Sequence, residues 1–124
     1  MVNKYELIYS KAYKKAIKKL NKSDLKLVES VLDRLANDEN LEPKYKDHQL
    51  LGEFKDFREC HIKPNLLLIY QKIENILILK AINVGSHSEL FKWAMIRKSI
   101  DKFTLKCYNN AMKTMKIKDL RWKR

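Results

Sequence analysis

His48, His61 and His87 are the side chains in this 124-residue sequence best suited to proton transfer. Imidazole titrates at about pH 6.5, so near neutrality it can give or accept a proton. Metal-free cleavage of RNA asks for a base at the 2′-hydroxyl, an acid at the leaving 5′-oxygen, and a cation for the charge that builds on phosphorus. Histidine, Glu59 and Arg58 are the right chemical types for those roles. His48 falls in the polar stretch Tyr45-Lys46-Asp47-His48-Gln49, just ahead of a strand-like segment that holds His61. A two-residue period along that segment puts Phe57, Glu59 and His61 on one face. His87 falls in Gly85-Ser86-His87-Ser88-Glu89-Leu90-Phe91, just after the last strand-like run. A loop before the first strand of a hairpin sheet and a segment after the last can meet at one end. All three histidines can then line one concave face beside Glu59 and Arg58. Each has a plainer reading: a lone histidine is more often a surface polar residue, and Glu59-Cys60-His61 can be an edge strand facing water. No two of the histidines and Cys60 have compact metal-ligand spacing, so no metal site and no cofactor are expected.

The elements that must carry these residues can be read from the hydrophobic pattern. Tyr5–Tyr9 reads as a first strand. Ser10 can cap a helix in which Tyr13, Ile17 and Leu20 recur at helical spacing, with its lysines elsewhere. Asn21-Lys22-Ser23 reads as a turn, and a second helix from about Asp24 places Leu25, Val28, Leu32 and Leu35 on one stripe, ending at Asn37–Asn40. Phe57–Ile62, Leu66–Tyr70 and Ile76–Leu79 read as three strands joined by short turns, which implies antiparallel hairpins. The two later strands are nearly all apolar, so they are expected at the centre, covered by helices. The fold class is α+β: two helices packed on an antiparallel sheet. Cys60, opposite in parity to His61, is expected to be a buried small hydrophobe.

Composition narrows the field further. The chain has 27 Lys+Arg against 15 Asp+Glu, a formal net charge of +12, and 45% apolar residues, enough for a core. The charge is uneven: residues 1–92 hold 17 basic and 13 acidic side chains, whereas 93–124 hold 10 and 2. That shift predicts a domain at 1–92 and a basic, helical extension at 93–124, with helical character reaching to about Met115. The excess predicts a polyanionic partner. Only 2 Gly rule out a glycine-rich nucleotide loop, and Cys60 and Cys107 are too few for a disulfide framework. The longest apolar run, Leu66–Tyr70, is far short of the roughly 20 residues that cross a bilayer, and the first residues lack a secretory core. A cytoplasmic protein without a membrane partner is expected.

The segments Tyr45–Gly52, Phe57–Asn65, Leu68–Tyr70 and Gly85–Phe91, in that order and spacing, resemble the YafQ branch of the RelE superfamily, toxins of bacterial type II toxin–antitoxin systems. The resemblance covers about residues 4–92. It implies a RelE-like fold of two helices on a twisted antiparallel sheet. It implies a metal-independent mRNA endoribonuclease, usually acting at the ribosome, with mRNA, the ribosome and a cognate antitoxin protein as partners. Carried over by position, His48, His61, His87 and Glu59 match functional residues. The resemblance makes His87 the general acid, with His48, His61 and Glu59 handling base duty and orientation. Phe91 would stack on a base, and Arg58, Lys63 and Asn65 complete the expected substrate-binding set. Asn65 stands where such toxins carry Asp, and Asn83 where Arg is common, which puts catalytic strength in question. The alternatives are a ParE-like inhibitor that poisons gyrase by binding, and a catalytically weakened relative that binds RNA or antitoxin. The extension can contact RNA phosphates, pack on the toxin through Trp93, Ile96, Ile100 and Phe103, or lack a function, and it is assigned no chemistry.

Overall fold

The computed structural model describes residues 3–98. The chain enters as β1 (Glu6–Tyr9) and turns into α1 (Lys11–Ala16), extended by a 3₁₀ turn at Ile17–Lys19. Ser10 makes that turn possible: its hydroxyl oxygen accepts the Tyr13 N–H at 3.0 Å, and its O–H donates to the Ile82 carbonyl, pinning the start of α1 to the sheet. The second helix, α2 (Lys22–Ala36), starts earlier than Asp24 because Asn21 caps it, accepting the Asp24 N–H at 2.7 Å. Val28, Val31, Leu32, Leu35 and Ala36 form its buried stripe, at the spacing of one helix face. Leu25, expected on that stripe, is only half-buried. The helix ends at Asn37, and Asp38 takes a left-handed φ of +62° that reverses the chain.

Four strands then run as an antiparallel meander: β2 (His48–Gln49), β3 (Arg58–Lys63), β4 (Leu66–Ile73) and β5 (Ile78–Gly85). The sheet order is β1-β5-β4-β3-β2, and β1 joins β5 in parallel, from Glu6 opposite Ile78 to Tyr9 opposite Ala81. Short turns force the antiparallel pairs, whereas β1 and β5 are separated by both helices and the meander, so their direction is not set by a hairpin. The last strand begins later and ends later than Ile76–Leu79. Glu74–Ile76 coil into a 3₁₀ turn, and Leu77 at φ +54° swings the chain back. Beyond Leu79, Asn83 is tolerated in the buried stretch because its side-chain oxygen accepts the Val84 N–H at 2.8 Å. The β4–β5 register slips between Ile69 and Tyr70, which breaks the two-residue alternation that would have marked this strand.

Both faces of the sheet are covered. On one, α1 and α2 bury Tyr13, Val28 and Leu32 against Cys60, Leu68 and Leu79. Cys60 is the buried small residue its parity implied. On the other, Leu67, Ile69 and Ile82 meet Leu50, Phe54 and a third helix, α3 (His87–Lys98), through Leu90 and Ala94. Fully buried Leu67 and Ile69 each contribute about 1.5–3 kcal/mol by leaving water. Trp93 packs against this second core while Ile96 is 68% exposed. Ile100, Phe103 and the stretch to Met115 lie outside the described residues.

Candidate active site

Sheet register places the first three candidate residues. His48 lies opposite Glu59, Glu59 opposite Ile69, and His61 opposite Leu67. Directly paired residues share a face, and Leu67 and Ile69 belong to the core beneath α3, so His48, Glu59 and His61 point to that side. His48 therefore sits on a short edge strand, not in a free loop. His87 reaches the same place as the first residue of α3. A reciprocal cap fixes that helix start: the Ser86 hydroxyl accepts the Glu89 N–H at 3.2 Å, and the Glu89 carboxylate accepts the Ser86 N–H at 2.9 Å. The Ser86 backbone N–H holds the Glu89 carboxyl below the usual range.

Glu59 is completely buried at the centre of the cluster. Its Oε1 lies 3.4 Å from His48 Nε2 and 4.0 Å from His61 Nε2. A carboxylate this deep requires partners of opposite charge or hydrogen-bond donors. His48 is aimed by its other nitrogen: Nδ1 meets the carbonyl oxygen of Lys46, which only accepts, so Nδ1 carries hydrogen and Nε2 is left facing Glu59. At 3.4 Å that nitrogen is close enough to the Glu59 carboxylate to form an ion pair whenever the ring is protonated. The ring of His61 meets the ring of His87 edge-on, with centroids 5.6 Å apart. Nδ1 of His87 is bonded to Asn65 Oδ1 at 2.9 Å, and its Nε2 is shielded, with no hydrogen-bond partner among the described residues. Phe91, one turn further along α3, lies on the same helix face as His87 and is half-buried against the second core.

The two expected cations are not part of this cluster. Arg58 precedes Glu59 on the strand and so faces the opposite side, where it is paired with Tyr70 in register. There its Nε donates to the Tyr70 hydroxyl at 3.2 Å and to Asp47 at 3.3 Å, while the Tyr70 hydroxyl donates to Asp47 at 2.6 Å. The expectation that Arg58 stands beside the histidines is corrected by strand alternation. A register shift between His61 and Lys63 turns Lys63 toward the helices, where it pairs with Asp24 at 3.0 Å. Asn83, where a cation was missed, is occupied with its own strand. The Asp47–Tyr70–Arg58 triad was not foreseen, although the pairing of Arg58 with Tyr70 follows from a hairpin turning at Pro64-Asn65. The Ser86-x-x-Glu89 cap was likewise present as a readable pattern. Among the described residues no group of three or more His, Cys, Asp or Glu side chains is arranged to hold a metal ion.

Comparison with known proteins bears on this geometry. The family model described as the bacterial toxin of type II toxin–antitoxin systems, YafQ, matches residues 5–92. The mRNA interferase toxin YafQ of Escherichia coli K12 is 32% identical over 89 residues, spanning 69% of this chain and 95% of that protein. Among solved structures, a metal-bound toxin from Helicobacter pylori is 49% identical with a TM-score of 0.64, covering 69% of this chain and 98% of the other. The toxin in the E. coli DinJ–YafQ toxin–antitoxin complex is 31% identical, also with a TM-score of 0.64, covering 71% and 98%.

Proposed function

Because the chain belongs to the YafQ family of toxins from bacterial type II toxin–antitoxin systems, we propose that it is an mRNA endoribonuclease whose chemistry is carried out by His48, Glu59, His61 and His87. The observation that carries the reading is the convergence of these four side chains on one face: Glu59 within 3.4 Å of His48 and 4.0 Å of His61, and His61 ring-to-ring with His87 at 5.6 Å. Its relatives are named mRNA interferases, which favours an enzyme over a gyrase-binding inhibitor.

In this reading His87 Nε2 delivers the proton to the leaving 5′-oxygen. The His48–Glu59–His61 group takes the proton of the attacking 2′-hydroxyl and orients the ribose, and general acid–base catalysis of this kind contributes about 10²–10⁴-fold. Positive charge for the phosphorane comes from the protonated histidines and the positive end of α3, since Arg58 and Lys63 are engaged on the far side of the sheet. Phe91 holds an unpaired base by stacking. The target is mRNA on the ribosome, in the cytoplasm, and a cognate antitoxin binds and neutralises the toxin, a partner supported by the E. coli DinJ–YafQ toxin–antitoxin complex. Residues 1–92 act as the toxin domain, and 93–124 as a basic extension that strengthens the grip on RNA. The test is a translation reaction with purified ribosomes and one defined mRNA, with the RNA ends mapped. New internal ends that appear only with toxin are expected. Translation halted with the message intact would refute the endoribonuclease.

A further inference from the structure

Asn65 lies in the β3–β4 turn, 22 residues from His87 in sequence, yet its side-chain oxygen meets that residue twice. Oδ1 accepts the His87 backbone N–H at 3.2 Å and faces His87 Nδ1 at 2.9 Å. A backbone N–H can only donate, so the amide atom it meets is the oxygen, and the orientation of the amide is settled without reference to the ring. The ring nitrogen facing the same oxygen must then carry a hydrogen. Neutral His87 is therefore confined to the Nδ1–H tautomer, which leaves Nε2, shielded beside the His61 ring in the free protein, as the nitrogen that exchanges protons once substrate reaches it.

We propose that Asn65 is a positioning residue for His87: its side-chain oxygen fixes the tautomer and tilt of the ring, so that Nε2 is dedicated to the RNA. The proposal deepens the function given above and rests on His87 serving as its acid. It reassigns Asn65, expected among the substrate-binding residues, to a contact with the enzyme's own histidine. Asn fills the role without adding charge. The groups facing the His87 ring are His61 from β3, with Glu59 beside it, and the uncharged Asn65 from the turn. On α3 itself Glu89 is tied to Ser86.

Nitrogen-resolved NMR of the imidazole rings in the full 124-residue chain tests this directly, at alkaline pH where the rings are neutral. Wild type is expected to show His87 as Nδ1–H. Asn65→Ala should convert it to a mixture containing Nε2–H and lower kcat for RNA cleavage about tenfold, the worth of one oriented hydrogen bond, with KM unchanged. Asn65 has an ordinary negative φ, so the alanine variant meets no backbone obstacle to folding. Asn65→Asp keeps the acceptor and should restore the tautomer. Its added negative charge should also move the pH limb governed by His87 to higher pH, a change that a merely structural contact would not produce. An unchanged Nδ1–H signature in Asn65→Ala overturns the proposal, as does an Asn65→Asp pH profile that superimposes on wild type. A shifted tautomer with undiminished cleavage supports the positioning role and refutes His87 as the acid, so the two claims fail separately.

Discussion

Glu59 is the residue whose replacement separates chemistry from stability most cleanly. Whenever His48 is protonated, the Glu59 carboxylate 3.4 Å from its Nε2 gains about 5 kcal/mol of gross attraction at an effective dielectric constant of about 20. Burying the two charges costs several kcal/mol per ion, so the net contribution to folding is small and its sign depends on what replaces it. Glu59→Gln keeps the shape but leaves an amide imperfectly bonded among histidines, a loss of about 1–3 kcal/mol. In a domain of this size that lowers Tm by about 5–15 °C. Glu59→Met removes the carboxylate but leaves the buried ring nitrogens of His48 and His61 facing an apolar side chain, so it should be at least as destabilising as Gln. Both variants remove the carboxylate that faces His48 and His61, so both should cleave RNA at least about 10²-fold more slowly. Thermal unfolding followed by circular dichroism, paired with single-turnover cleavage of a defined RNA, reads both quantities. Wild-type cleavage by either folded variant would refute the role of Glu59. A Met variant more stable than the Gln variant would refute the account of its burial.

Three further expectations follow from contacts elsewhere. Arg58→Met should lower stability through loss of the Asp47 and Tyr70 contacts while leaving cleavage per folded molecule unchanged, and a selective rise in KM would return Arg58 to the substrate site. Hydrogen bonding to Lys4 and Lys72 holds the Asp38 carboxyl down at about 2, below its unfolded value, so its contribution to stability is complete above the unfolded pKa and is lost as pH falls through the folded one. Asp38→Asn, which tolerates the left-handed φ, should therefore show a flatter loss of Tm between about pH 4 and 2, and parallel curves would contradict this. Burial pushes the Cys60 thiol well above its normal range, so in a Cys107→Ser background the folded protein should resist thiol reagents until it is unfolded. Rapid labelling under native conditions would show that the sheet opens.

How far the sequence foretold all this depended on which physical signal each part carried. Short turns and apolar runs made the β3–β4–β5 meander legible, and Ser10 marked the start of α1 through a hydrogen bond that is local. The parallel docking of β1 depended on contacts across most of the chain, which no local pattern encodes. The length of β5 was hidden because Lys80 and Asn83 interrupt its apolar run and the β4–β5 register slips at Tyr70. At the site, period two correctly grouped Glu59 with His61, and the same alternation, applied one residue earlier, would have sent Arg58 to the other face. Lys63 was harder, since the bulge that turns it away leaves no mark of its own in the residues around it. The meeting of Asn65 with His87 joins a hairpin turn to a helix start and became visible only when both were in place.

Whether His87 drives strand cleavage is measured by one comparison. Wild-type and His87→Ala proteins of matched folding are mixed in excess with ribosomes carrying one mRNA, and the first-turnover rate of cleavage is followed at a single site. A drop of at least about 10²-fold in the variant is expected. Cleavage that continues at the wild-type rate would contradict the account.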